Sequence, residues 1–340
     1  MSAAFLDLLT GKGLLVPLGA FLAAGVAVFL IASRLAGHAD AIADATGLGR
    51  VWIGALLLAA STSLPELATD VNAALLGAVD IGVGDLMGST LANMLVLAVL
   101  DLAHRKRRIL HEAALHHLLI GSLAVVLTAL AGAAIASGGW GRIGHVGVET
   151  VVIVAMYVLG MRAVYYYPRE TAPPEQLELG ETSRTLLRRG LLGFALAAVG
   201  LVLTAPLLVL SAEAVAIEGG LTQTFVGTLL VGLTTSFPEM AATVAAVRMG
   251  AVDLAVGNIL GSSAFNMCVL FAMDLAYLPG PVLAQVSPAA VLTAHLAVLV
   301  VALGMLGMLT RGARRAPPLR VESLLIVVTY AGAAWLLARG

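Results

Sequence analysis

The sequence predicts an all-α membrane protein of ten transmembrane helices laid out as two inverted five-helix repeats, and three observations predict it. Apolar residues make up 60% of the 340-residue chain and charged residues only 11%, against roughly 25% charged in globular domains. Apolar runs recur along the whole chain, each long enough to cross a hydrocarbon core of about 30 Å at about 1.5 Å per residue. Sliding the chain along itself until Leu57 meets Leu230 lays one part on another, with an odd number of spans between the copies.

The expected spans run from Leu14 to Ala32, Val51 to Leu76, Ile81 to Leu100, Ala113 to Ile135 and Val146 to Tyr165. Five more run from Gly190 to Ser211, Phe225 to Val247, Leu254 to Leu275, Pro288 to Leu309 and Val321 to Leu337. Short cytoplasmic loops hold Lys and Arg. Numbering the gaps alternately puts 16 of the 19 Lys and Arg on one side, which supports ten spans and places both termini outside the cytoplasm. The N-terminus has no basic region followed by a short apolar core and a small-residue cleavage site, so the first span is expected to belong to the mature protein. The lone Cys268 lies in an apolar span and is expected to serve packing.

The shift aligns Leu57–Asp101 with Leu230–Asp274 without a gap, and 21 of 45 positions are identical. Five spans per unit invert the second copy, a recurrent plan of secondary transporters with the site at the repeat interface. The first repeat is expected over 1–166, with its motif at 57–101. A cytoplasmic linker rich in Pro and acidic residues follows over 167–187, and the second repeat covers 188–340 with its motif at 230–274. Arg105–Arg108, flanked by His104, His111, His116 and His117, reads as a polybasic turn at the anionic inner leaflet, with a pH or metal sensor as the alternative. His295 sits inside the ninth span with no partner visible.

Ser61-Thr62-Ser63-Leu64-Pro65-Glu66 returns as Thr234-Thr235-Ser236-Phe237-Pro238-Glu239. Each copy places a carboxylate and a helix breaker inside an apolar run, which marks a functional site by default. Pro65 and Pro238 cannot donate to the carbonyls of Ser61 and Thr234. Freed carbonyls, the hydroxyls of Thr62, Ser63, Thr235 and Ser236, and the carboxylates of Glu66 and Glu239 form an oxygen-only donor set. Hard cations such as Ca²⁺, Na⁺ or Mg²⁺ take such ligands, whereas zinc or copper would want His and Cys. Glu66 and Asn93 are equidistant from the Gly-Ala-Val-Asp turn that follows the first motif, as Glu239 and Asn266 are from the second, so each pair lies at one depth. Ser89 shares a helix face with Asn93, and Ser262 with Asn266. Glycines 84, 88, 257 and 261 allow close helix approach.

At these residues the chain resembles the cation/calcium antiporter superfamily, which includes the sodium/calcium exchangers. The family pattern G-T-S-x-P-E stands here at 61–66 and 234–239. The pattern G-N-x-x-G-S-N-x-x-N/D stands at Gly84–Asn93 and Gly257–Asn266. The resemblance implies a Ca²⁺ site made by Glu66 and Glu239 with the main-chain carbonyls of Thr62 and Thr235. It implies flanking Na⁺ sites using Ser63, Ser236, Ser89 and Ser262, and sliding of spans one and six to alternate access.

Three departures matter. Asn266 is an amide where sodium/calcium exchangers often have aspartate, so the centre has two carboxylates and proton coupling gains weight. Asp70 and Asp85 stand at family Ser and Asn positions, with Thr243 and Asn258 as repeat partners. They are expected in the outer half of the pathway, either as accessory cation ligands or as a polar vestibule lining. The expected function is antiport of a divalent cation, foremost Ca²⁺, against Na⁺ or H⁺, with Mg²⁺ or Mn²⁺ as alternative cargo. A cation channel and an intramembrane protease using Asp70 and Asp85 rank below it. No cofactor, nucleic acid or obligatory protein partner is expected; the partners are membrane lipid and small cations, in the cell (inner) membrane.

Overall fold

The computed structural model describes residues 6, 8–11, 13–104, 108–113, 116–166, 181–219, 232–310 and 320–337. In the first half the helices are α1 (Leu15–Thr46), α2 (Arg50–Thr62), α3 (Leu64–Leu75), α4 (Val79–Ala103), α5 (Ile109–Glu112), α6 (His117–Ser137) and α7 (Val148–Tyr166). In the second they are α8 (Glu181–Glu218), α9 (Gly232–Thr235), α10 (Phe237–Arg248), α11 (Val252–Ala276), α12 (Val282–Gln285), α13 (Ala289–Leu309) and α14 (Val321–Leu337). A two-residue ladder, β1 (Arg142–Ile143) with β2 (Val146–Gly147), is the one sheet among the described residues.

Seven of the described helices are long and apolar enough to cross a membrane, and the bent pair α2–α3 makes an eighth. The shorter apolar α14 occupies the tenth expected span, and α9–α10 fall in the seventh, whose first residues lie outside the described ones. The protein is an all-helical, multi-pass membrane protein.

The repeat offset read from the sequence recurs in the structure. The shift that carries Leu57 onto Leu230 carries the bounds of α3, α4 and α5 onto those of α10, α11 and α12, and the start of α7 at Val148 onto that of α14 at Val321. Both hairpin turns close alike. Gly77 and Gly250 adopt φ of 77° and 79°, a left-handed conformation open to glycine. The next N–H reaches back at 2.8 Å (Ala78 to Ala73) and 2.9 Å (Ala251 to Ala246).

Two helices run beyond the expected spans. α1 continues past Ala32 to Thr46, because a helix needs no apolar surroundings once it leaves the hydrocarbon. Its polar end is held by Arg50, at 2.5 Å from Asp40 and 2.9 Å from Asp44. α8 begins at Glu181, within the expected linker over 167–187, of which 167–180 lie outside the described residues.

α11 is central, with 83% of its most apolar stretch buried, while the corresponding figure for α1 is 17%. α1 and α8 pack along each other, and α1 also lies on α10. α11 contacts α2, α3, α4 and α6, and α13 and α14 cover α4. The α2–α11 contact is backbone against backbone: a Cβ built on Gly261 would lie 2.2 Å from the Ala55 carbonyl oxygen. Ala55 belongs to a π-helical turn, Ile53–Leu58, inside α2.

Candidate cation site

Both proline motifs break their helices at the serine. Ser63 (φ −85°, ψ 5°) separates α2 from α3 with a bend of 46°, and Ser236 (φ −77°, ψ 1°) separates α9 from α10. The prolines fall in the first turn of α3 and α10, where a missing N–H costs nothing. Glu66 and Glu239 therefore lie in the first turns of new helices, where the backbone dipole favours negative charge.

The two breaks meet. Ser63 Oγ donates to Glu239 Oε1 at 2.8 Å and lies 2.8 Å from Ser262 Oγ, which is 3.4 Å from the same carboxylate oxygen. Asn93 Nδ2 reaches Ser262 Oγ at 3.5 Å. Thr62 Oγ1 lies 3.3 Å from Asn258 Oδ1, and its repeat mate Thr235 Oγ1 lies 3.0 Å from Asp85 Oδ1, the mate of Asn258. Glu239 is thereby tied to Ser63, three residues before Glu66, so the two glutamates flank the same meeting of helix breaks. Glu66, Glu239, Thr62, Thr235, Ser63, Ser236, Ser89, Ser262, Asn93 and Asn266 are all fully buried.

Seventeen buried side-chain N or O atoms of the described residues have no hydrogen-bond partner, and eleven belong to this cluster: both oxygens of Glu66 and Asp70, both polar atoms of Asn266, and one atom each of Asp85, Ser89, Asn93, Ser236 and Glu239. Orphaned buried polar atoms are scarce in proteins, each costing about 1–3 kcal/mol. Their concentration here is the mark of a place built for a charged ligand. No three His, Cys, Asp or Glu side chains of the described residues converge on one point. The donor set is oxygen-only and suits a hard cation.

The bonding is lopsided. Ser63, Glu239 and Ser262 bond one another, whereas their repeat mates Ser236, Glu66 and Ser89 have unpartnered side-chain oxygens. Ser89, Ser236 and Asn266 are buried on the right helices without a hydrogen bond into the cluster.

His295 stays outside the site: it is exposed, and its Nδ1 lies 2.6 Å from the Val291 carbonyl of its own helix. The histidine-rich basic turn divides. Residues 105–107 and 114–115 lie outside the described ones. His111 is held below its usual range by burial and by Arg108. His117 is fully buried and bonds Asp253 at 3.1 Å, across the two halves.

Sequence reasoning missed a second ring of buried carboxylates. Asp274 accepts from Thr150 Oγ1 at 2.5 Å and from the N–H groups of Gly147 and Val282 at 2.7 and 2.8 Å. Its mate Asp101 accepts from Ser323 at 2.8 Å and from the Leu110 N–H at 3.3 Å. The signal was available: Val148-Glu149-Thr150 and Val321-Glu322-Ser323 stand at equivalent positions of the two repeats.

A multi-pass helical protein in which two proline-broken helices bring carboxylates and hydroxyls together in its buried centre belongs to the class of secondary cation transporters. The family model described as sodium/calcium exchanger protein matches residues 16–166 and 189–338, and the chain belongs to that family. CaxA of Alkalimonas amylolytica, a putative antiporter, is 26% identical over 318 residues, covering 90% of this chain and 93% of that one. Inner membrane protein YrbG of Escherichia coli is 26% identical over 253 residues, covering 74% and 77%. A structure of the sodium-calcium exchanger NCX_Mj superposes with a TM-score of 0.70 at 19% identity, covering 94% of this chain and 98% of that one, and shares the fold.

Proposed function

We propose that this chain is a secondary active antiporter that exchanges a divalent cation, foremost Ca²⁺, for Na⁺ or H⁺ by alternating access. Glu66 and Glu239 are its shared, mutually exclusive binding groups. Thr62 and Thr235 contribute main-chain carbonyls, and Ser63, Ser236, Ser89, Ser262, Asn93 and Asn266 line the flanking positions. The observation behind this reading is the meeting of the two glutamate-bearing helix breaks in the buried centre, where Ser63 of one bonds Glu239 of the other at 2.8 Å among oxygen ligands. An empty centre with two buried charges changes its face reluctantly, which couples the two ions. The amide at Asn266 leaves two carboxylates at the centre, which one divalent cation, two Na⁺ or two protons would neutralise.

The proposed architecture has ten spans in two inverted five-helix repeats, 1–166 and 188–340, around a cytoplasmic connection at 167–187. Both termini lie on the non-cytoplasmic face, and α1 and α8 are the elements that slide. The proposed residence is the inner membrane, with lipid and small cations as the only partners required.

Isotopic Ca²⁺ uptake into proteoliposomes under imposed Na⁺ or pH gradients tests this. Gradient-driven uptake abolished in Glu66→Gln is expected. Absence of gradient-driven flux of any divalent ion, or native flux in Glu66→Gln, refutes it, and unitary currents would indicate a channel instead.

A further inference from the structure

Asp70 and Asp85 stand where the second half has Thr243 and Asn258, and the halves fill one position with opposite chemistry. Asn258 Nδ2 donates to Thr243 Oγ1 at 3.0 Å, and Asn258 Oδ1 lies 3.3 Å from the Thr62 hydroxyl. That is a closed, neutral donor–acceptor pair. In the first half the Thr235 hydroxyl meets Asp85 Oδ1 at 3.0 Å, and Asp70 packs against the helix that carries Asp85, one turn earlier, where a Cβ built on Gly82 would lie 3.5 Å from Asp70 Cβ.

Asp70 is 1% exposed and Asp85 6%. Neither oxygen of Asp70 nor Oδ2 of Asp85 has a hydrogen-bond partner, and neither residue forms an ion pair with a described basic side chain. Ser89, one turn along α4 from Asp85 and on the same face, has a buried, unpartnered hydroxyl. Three buried carboxyl oxygens on two packed helices with no donor call for a positive charge. Glu66 and Asp70 are one helical turn apart, about 6 Å along the axis, so the ion count decides whether the aspartates hold an ion of their own.

We propose that Asp70 and Asp85, joined by the Ser89 hydroxyl, form a second cation subsite in this chain, one that takes a hard divalent cation and that the second half lacks. Carboxylate and hydroxyl oxygens are the ligand class such ions take. The subsite rests on the reading of this protein as a divalent-cation carrier, and its test is a binding count that does not depend on transport.

The count is made by equilibrium dialysis of the purified full-length protein against isotopic Ca²⁺. The informative variant is Asp70→Thr combined with Asp85→Asn, which copies the Thr243–Asn258 pair and keeps an acceptor for Thr235. The native protein is expected to bind two Ca²⁺ per chain and the double variant one. Glu66→Gln is expected to lose the other ion, and the three substitutions together are expected to bind none. Fewer than two ions in the native protein, or an unchanged count in the double variant, overturns the subsite. Two bound ions without gradient-driven flux would uphold the subsite and refute antiport; one bound ion with normal flux would do the reverse.

Discussion

Gly261→Ala should disable the site without touching a ligand. The new Cβ would lie 2.2 Å from the Ala55 oxygen, 2.5 Å from its Cα and 2.7 Å from its carbonyl carbon, all backbone atoms of α2. An ordinary carbon–oxygen contact is about 3.3 Å, so α2 and α11 must part by about 1 Å. α2 ends in Thr62 and leads directly into Ser63, while α11 holds Asn258 and Ser262. The contacts of Ser63 with Ser262, at 2.8 Å, and of Thr62 with Asn258, at 3.3 Å, join these two helices. Such a parting would take both beyond hydrogen-bonding range. Overpacking costs about 1–3 kcal/mol and the two lost bonds about 1 kcal/mol each. At about 1.4 kcal/mol per tenfold, the two lost bonds should lower divalent affinity about 30-fold, and the overpacking should lower the Tm. The assays are isotopic Ca²⁺ binding and thermal unfolding in detergent. Gly332→Ala is the control, since no described residue lies within 4 Å of its new methyl group. Native affinity and native Tm in Gly261→Ala would refute the claim that this backbone contact sets the position of the hydroxyls.

Asp274→Ala strands the two buried N–H groups of Gly147 and Val282, while the Thr150 hydroxyl keeps the Gly147 carbonyl as acceptor. At about 1–3 kcal/mol per orphaned group, it should destabilise by several kcal/mol, read as a large fall in Tm even with Ca²⁺ saturating. His295→Ala should change Tm and uptake negligibly, within about 0.5 kcal/mol, because the exposed ring bonds only its own helix. A marked loss of transport there would mean that the ninth span contributes to the pathway.

Much of the site was legible because membrane proteins tolerate few charges in apolar runs, and each one present therefore stands out. Glu66, Glu239 and the hydroxyls around them were found this way, and the repeat offset predicted matched helix bounds on both sides. Partners across the halves were not legible. His117 sits in a basic stretch of sequence and reads as an interfacial charge, yet its ring is buried against Asp253. Asp101 and Asp274 lie at span ends, where an aspartate raises no suspicion, and their partners Thr150 and Ser323 lie outside the aligned stretches Leu57–Asp101 and Leu230–Asp274. The π-turn at Ile53–Leu58 left no trace either, since it consists of ordinary apolar residues. One extra residue in a turn rotates everything after it by about 100°, so which α2 side chains face the site could not be read from helical period.

The duplication also makes the asymmetry of the centre interpretable. Ser63, Glu239 and Ser262 are the same residue types, at the same offsets, as Ser236, Glu66 and Ser89. Identical chemistry in equivalent positions would bond equivalently if the halves were arranged equivalently. One triad is closed, with contacts of 2.8 to 3.4 Å, and the other is open. The difference therefore does not come from the residue types of the triads themselves. Opening one triad while closing the other exchanges like for like, so the two arrangements differ by only a few hydrogen bonds, and bound cations can bias the balance by their differential affinity for the two. The proposed exchange of access needs such near-degenerate states. The aspartate pair is the exception that the second half does not mirror: Asp70 and Asp85 have no acidic mates, so a cation held there would weigh on one arrangement more than the other. A selective bias between faces can reside in residues that broke the repeat, whereas the exchange itself depends on residues that kept it.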